Sequence, residues 1–314
     1  MKAIGGYFEL ECGTTPLYYK DGIYLNICRS ALRYLIRALK IKKIHVPIYT
    51  CNVVHDAIIQ EKCKIELYSL NDIFLPNKAF PKYDFILYNN YFGVLGNNVR
   101  ALSNIYPNLI VDNAQAFYSQ PPCRAAIYSP RKFFGLPDGG ILRGKDIPNL
   151  TLEEGHSSDV CSHLLKRIDY GAQAAYKDFT DNDKALENYS LQSMSNLTKS
   201  LMGNIDYEHA ALTRKKNFDT LHHNLKSIFP FAFATDDVPM VYPLMLKNGI
   251  EVRNKLISNN IFVARYWPNV LDSCTEKKLE YQFVNQILPL PIDQRYDEND
   301  MKRIIRIINE TLIS

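Results

Sequence analysis

Apolar residues along this chain recur in two rhythms, and the switches between them mark out most of its elements. Between about residues 23 and 145, short β-rich runs alternate with stretches of helical period. In SALRYLIRALK, Leu32, Leu35, Ile36 and Leu39 fall three and four apart, which predicts a helix with one apolar face. KKIHVP predicts a strand ended by Pro47, because proline brings no N–H to a ladder, and CNVVHDAIIQ predicts a second helix. CKIELYS, DFILYNN and NLIVD predict further strands, the last preceded by a helical stretch. Such alternation implies an α/β fold with a mainly parallel sheet covered on both faces. Residues 150–228 change character: β-branched runs are few and helical spacing dominates, as in LTKSLMGNIDYEHAALTRKKNFDTLHHNL. From about residue 238 the alternation returns, with VPMVYPLML, IFVARY and QILPLPI as strands. EVRNKLISNN, a further stretch and the terminal ENDMKRIIRIINETL are the helices between and after them. The expectation is a large domain over 1–228, with its helical segment 150–228, and a smaller α+β domain over 229–314. No Gly/Ser/Pro-rich linker separates them, so they should pack on each other.

Composition narrows the function classes more than the fold. The chain has 314 residues, 46% hydrophobic and 22% charged, ample for such a core. Thirty-seven Lys and Arg against 33 Asp and Glu leave a formal charge of +4, scattered rather than blocked. The densest basic run, Arg214-Lys215-Lys216, reads as a solvated helix face, so neither nucleic acid nor a membrane surface is indicated as partner. No run approaches the roughly 18–20 apolar residues of a membrane span, and Glu9 and Glu11 interrupt any signal-peptide core. Seven cysteines, with no CxxC pair, suggest neither zinc site nor disulfide framework, and His222-His223 lack a third ligand at metal spacing. The expectation is a reduced, cytoplasmic protein without a metal site.

Candidate chemistry concentrates in Asn108–Gly140, NLIVDNAQAFYSQPPCRAAIYSPRKFFGLPDGG. Asp112 follows a strand-like LIV and so falls at a strand's carboxyl end, where open α/β sheets place ligands. Lys132 comes three residues after Ser129 as the chain leaves the next strand, and Gly139-Gly140 lets backbones approach closely. A desolvated lysine amine can form a Schiff base with an aldehyde cofactor, and a carboxylate against a pyridine nitrogen makes that ring an electron sink. Each piece also has a plainer reading: Asp112-Asn113 as a turn or helix cap, Arg131-Lys132 as surface charge. The Ser-x-x-Lys spacing also marks serine acylases, but their companion Ser-Asp-Asn and Lys-Thr-Gly are absent.

At these residues the chain resembles the DegT/DnrJ/EryC1/StrS family of sugar aminotransferases, which depend on pyridoxal 5'-phosphate (PLP) and adopt the fold type I, aspartate-aminotransferase-like architecture. Val111–Ala116 is similar to the family's aspartate segment, and Tyr128–Lys132 with Gly139-Gly140 to its lysine segment. Weaker likenesses follow in order: Leu25–Leu32, His45–Thr50, Asn90-Tyr91-Phe92-Gly93, Gly249-Ile250, Arg265–Pro268 and Leu288–Pro291. The resemblance implies a large, mainly parallel-sheet domain with a smaller C-terminal one, and PLP as cofactor. It implies that Lys132 carries the cofactor and shuttles a proton, that Asp112 pairs with the ring nitrogen, and that Gln115 sits near its O3′ side. Ser129, Cys28, Arg29 and Ser30 would hold the phosphate. Tyr49 would substitute for the stacking aromatic that is absent at Cys51, and Asn90 replaces a usual histidine. The implied reaction moves an amino group from an amino acid, L-glutamate, to a nucleotide-linked keto sugar, in a homodimer with its site near the interface.

The chain departs from the pattern at Cys28-Arg29, Cys51, Asn90, Ile127 and Leu191–Met194, and is shorter than most relatives. Those changes motivate a second reading, a catalytically inactive binding or regulatory protein on the same scaffold. A sugar dehydratase is disfavoured because Lys132 is kept rather than replaced by histidine. Trp267, the only tryptophan, reads equally as a wall of the sugar pocket or as core.

Overall fold

The computed structural model describes residue 4 and residues 6–13, 15–187, 189–225 and 237–313. Seven strands form one sheet: β1 (Ile23–Leu25), β2 (Lys43–Pro47), β3 (Lys64–Tyr68), β4 (Ile86–Asn89), β5 (Leu109–Asn113), β6 (Ala125–Tyr128) and β7 (Gly140–Gly144). Their order is β1-β7-β6-β5-β4-β2-β3. Strands β3, β2, β4, β5 and β6 run parallel, and β7 lies antiparallel to both β6 and β1. The chain leaves β2 for the β3 edge but leaves β4 for β5 on the other side. The loops after β2 and β4 therefore diverge and open a crevice at the carboxyl edge of the sheet.

The period-two pattern sets the faces. Leu87, Ile110 and Ile127 pack on one side with α1 (Cys28–Ala38) and α2 (Asn52–Gln60); their neighbours Tyr88, Val111 and Tyr128 pack on the other. Burying each such side chain contributes roughly 1.5–3 kcal/mol. In α1, Leu32, Leu35 and Ile36 are buried as the spacing predicts, together with Ala31 and Tyr34, while Leu39 caps the helix half-buried.

The opposite face takes α3 (Gly96–Ile105) and continues without a break into the C-terminal part of the chain. The helical segment comprises α4 (Ser162–Ala174), α5 (Tyr176–Glu187), α6 (Asn196–Met202) and α7 (Tyr207–Asn224). Between α5 and α6 the chain runs extended beside β1: the Asn26 N–H donates to the Gln192 carbonyl (3.1 Å) and the Met194 N–H to that of Tyr24 (3.1 Å). The expected boundary at 228/229 lies outside the described residues. Beyond it come β8 (Val241–Met245), α8 (Gly249–Ser258), α9 (Val270–Ser273), α10 (Leu279–Gln286), β9 (Ile287–Pro291) and α11 (Glu298–Ile313). Strands β8 and β9 pair antiparallel.

Two expectations are corrected. IFVARY is not a strand: the Val263 carbonyl accepts the Arg253 Nε–H at 2.9 Å, and residues 261–267 join neither sheet. Arg214 is not on a solvated face but 1% exposed. Its guanidinium donates to the carbonyls of Met240 (2.9 Å) and Phe133 (3.2 Å) and to Gln294 Oε1 (3.1 Å), and lies 4.5 Å from the centre of the Phe133 ring.

Candidate active site

The crevice between the diverging loops is a cleft of about 280 Å³. Its floor is the carboxyl edge of the sheet: Thr50 beyond β2, Asn89 and Asn90 at the end of β4, Asp112, Ala114 and Gln115 from β5, and Ile127, Ser129 and Lys132 from β6. The register puts Asn89, Asp112 and Ile127 side by side across three strands. One wall is the start of α1, with Cys28 and Arg29; another is α5, with Asp183, Leu186 and Glu187; Trp267 closes a third side.

The floor is held by hydrogen bonds to backbone and to neighbouring side chains. Asp112 Oδ1 accepts the Ala114 N–H at 2.8 Å. Burial raises the Asp112 carboxyl pKa above its ordinary value, and the Lys132 ammonium and the Ala114 N–H oppose that rise. Lys132 closes a single 3-10 turn, Pro130–Lys132, its N–H on the Ser129 carbonyl at 3.1 Å. Phe133 next to it is buried, while the Lys132 side chain is exposed in the cleft. Gln115 Oε1 accepts the Phe92 N–H at 2.6 Å, which fixes the Asn90–Gly93 turn. That turn carries Phe92 at φ 60 and Gly93 at φ 74, where a Cβ would stand 2.5 Å from the Gln115 carbonyl oxygen, so glycine is required. Asn89 donates to Thr50 Oγ1 (3.0 Å) and Asn90 to Asn113 Oδ1 (3.0 Å). Both side-chain carbonyl oxygens are buried without a partner among the described residues.

The α1 wall is suited to an anion. No side chain caps the helix at Ile27, so first-turn N–H groups are not satisfied by a cap. Gly140 permits this close approach of β7: a Cβ there would stand 2.1 Å from the Ile27 carbonyl oxygen. Arg29 Nη1 donates to the Glu187 carbonyl at 3.4 Å, and Arg131 pairs with Asp183, so α5 is fastened over this end. The Cys28 thiol is pushed well above its ordinary pKa, first by burial and then by the Asp112 carboxylate, against Lys132 and Arg29. It stays protonated and is a poor nucleophile.

Of the residues expected at a cofactor, the structure gathers Cys28, Arg29, Asn90, Asp112, Gln115, Ser129 and Lys132 around one cleft. Two do not line it. Ser30 is fully buried inside α1, and Tyr49 is buried behind Thr50, its ring 4.7 Å from that of Trp267, edge to face. Asn89, Thr50 and the α5 wall were not singled out from sequence. Asn89 is the neighbour of Asn90 on a strand end, a signal that was present; nothing local marked Asp183 or Glu187.

The loop between Lys132 and β7 carries an unusual carboxyl. Asp138 is fully buried, accepts the Thr198 hydroxyl on Oδ1 and has no partner for Oδ2 among the described residues. Burial raises its pKa from 3.8 to about 6, against the Thr198 hydrogen bond and the Arg131 charge. The folded state therefore holds this proton more tightly than the unfolded chain. Ionisation costs stability that accumulates as pH rises from about 4 through about 6. The cost at neutral pH is of the order of ~3 kcal/mol. Asp138→Asn keeps the acceptor for Thr198 and should raise the melting temperature at pH 7, with the gain vanishing near pH 4. A gain of the same size at both pH values would show the assignment to be wrong.

No family model matches the chain, and no curated protein matches it in sequence. Solved structures do. An aminotransferase of the DegT/DnrJ/EryC1/StrS group from Brucella abortus is 14% identical, with a TM-score of 0.60 over 92% of this chain and 85% of that one. The sugar aminotransferase CalS13 from Micromonospora echinospora is 14% identical, TM-score 0.63, over 92% and 87%. NtdA from Bacillus subtilis, determined with its cofactor PMP bound, is 14% identical, TM-score 0.66, over 93% and 73%. The fold is that of the sugar aminotransferases. Within this fold the cleft occupies the carboxyl edge of the large sheet, with Asp112 at the end of β5 and Lys132 on the turn after the adjacent β6. Among the described residues no helix is long and apolar enough to cross a membrane, and no group of three or more His, Cys, Asp or Glu could hold a metal ion.

Proposed function

We propose that the chain is a PLP-dependent aminotransferase that transfers an amino group from an amino acid, L-glutamate, to a keto sugar carried on a nucleotide. One observation carries the reading: a single cleft holds a half-buried carboxylate, Asp112, and an exposed amine, Lys132, whose charge acts on that carboxylate, beside an uncapped helix start. The donor set fits PLP. Among the described residues Asp112 forms no ion pair within 4 Å, and it would find a cationic partner in a protonated ring nitrogen. Asn89 and Asn90 offer two orphaned acceptors, and the α1 amides with Arg29 and Ser129 suit the phosphate.

Bound PLP supplies an electron sink for the charge that develops at the amino acid's α-carbon. The chain's residues do the rest. Lys132 Nζ attaches the cofactor and moves the proton from the α-carbon. Asp112 holds the ring nitrogen in its charged state, and Gln115, locked on Phe92, orients the ring's oxygen side. Ser30 and Tyr49 act from behind the surface, as packing under the α1 turn and under Trp267. We take the working form as a cytoplasmic homodimer of two-domain subunits, with no nucleic-acid or membrane partner.

Purified protein with added PLP should develop a visible absorption band that borohydride fixes irreversibly. Peptide mapping should then find the cofactor on Lys132. Absence of PLP binding at micromolar concentration would instead favour a scaffold that has lost catalysis.

A further inference from the structure

A planar heterocycle held at this cleft needs a flat apolar face to lie on, and the lining offers one candidate. Among the described residues Trp267 is the only aromatic side chain lining the cleft. It reaches the cleft from the C-terminal part of the chain, more than 200 residues after the α1 wall. Its backbone is in the left-handed region, φ 57, which a bulky residue ahead of a proline rarely adopts. Strain of this kind persists only where the surroundings over-determine it. Here they do: the Trp267 carbonyl accepts the Val270 N–H at 3.0 Å, and Asn269 Nδ2 donates to the Thr50 carbonyl at 3.1 Å, tying the turn to the end of β2. Tyr49 and Tyr91 brace the indole edge to face at 4.7 and 5.8 Å, and Tyr266 stacks on it at 5.8 Å. Trp267 nevertheless stays partly exposed and lines the cleft.

We infer that Trp267 is a cofactor-positioning residue: the cofactor's pyridinium ring lies on its indole, while Asp112 holds that ring by its nitrogen. This rests on the reading of the cleft as a PLP site. An electron-rich indole is the best natural partner for a flat cation, and the strained turn is what brings it to a cleft whose other apolar lining is aliphatic, Ile27, Leu32, Val53, Val54, Ile127 and Leu186. Tyr49 then stands as the buttress behind Trp267.

Pyridoxamine phosphate is the probe, because it binds without a covalent bond to Lys132 and so reports ring contacts. Its dissociation constant should rise about tenfold in Trp267→Ala and stay within about threefold in Trp267→Phe. Far-UV circular dichroism would confirm that both variants are folded. Trp267 is the chain's only tryptophan, so emission excited at the red edge of the ultraviolet band, where the 21 tyrosines do not absorb, reports this ring alone in the unaltered protein. Stacking should quench it statically, lowering the amplitude while leaving the lifetime of the remaining emission unchanged. An unchanged dissociation constant in Trp267→Ala, or quenching solely by a shortened lifetime, would overturn the stacking role while leaving the cofactor site intact. A wild-type protein that binds neither PLP nor pyridoxamine phosphate would overturn the site and the stacking role together.

Discussion

Lys132→Ala should lower the rate of amino transfer from L-glutamate to PLP by at least about 10⁴-fold in a single-turnover assay, while leaving the fold intact. The size follows from two roles lost at once, the attachment of the cofactor and the proton transfer at the α-carbon, the second alone being worth roughly 10²–10⁴. The fold should survive because the side chain is exposed in the cleft, and surface substitutions usually change stability by no more than about 0.5 kcal/mol. Burst amplitude, melting temperature and the visible band, measured on the same preparation, separate lost chemistry from lost structure. A variant that still transaminates at a tenth of the wild-type rate would remove lysine from the reaction.

Asp112→Asn should cut the same rate by about 10²–10³-fold, the cost of withdrawing a preorganised charge from the ring nitrogen. Its signature on stability runs the other way. Burial raises the folded-state pKa of Asp112, so the ionised carboxylate is a burden that grows as pH rises through that raised value. Without cofactor, the asparagine variant should melt at or above the wild-type temperature at pH 8; with PLP, it should gain less than wild type does. That crossing, seen by calorimetry with and without PLP, distinguishes a residue that waits for a cationic partner from one that only shapes the sheet. Equal gains on PLP addition would count against the pairing.

The legible parts of this molecule are those whose cause is local. The alternation in β4, β5 and β6 places Tyr88, Val111 and Tyr128 on one face and Leu87, Ile110 and Ile127 on the other, and that pattern is written in consecutive residues. Asp112 and Lys132 stand out because one lies at the carboxyl end of β5 and the other on the short turn that follows β6. What sequence reading misses depends on contacts between distant segments. IFVARY has the composition of a strand, but Arg253 occupies a carbonyl that a ladder would need. Arg214 sits in a basic run, yet carbonyls 81 and 26 residues away draw it inside. The α5 wall is held at the cleft by contacts from distant segments: Arg131 and Arg29 reach across to it, and Asn182 donates to the Pro137 carbonyl. Tyr49 has the chemistry to stack but lies behind the surface, and no local pattern distinguishes it from Trp267.

Arg214 also couples parts of the molecule that the chain keeps far apart. One guanidinium grips the peptide immediately after Lys132 and, with its other arm, the peptide leading into β8. Any swing of the C-terminal segment must either carry the lysine turn with it or break one of these two hydrogen bonds, so this charge works as a rivet under the floor of the cleft rather than as an ornament of its surface.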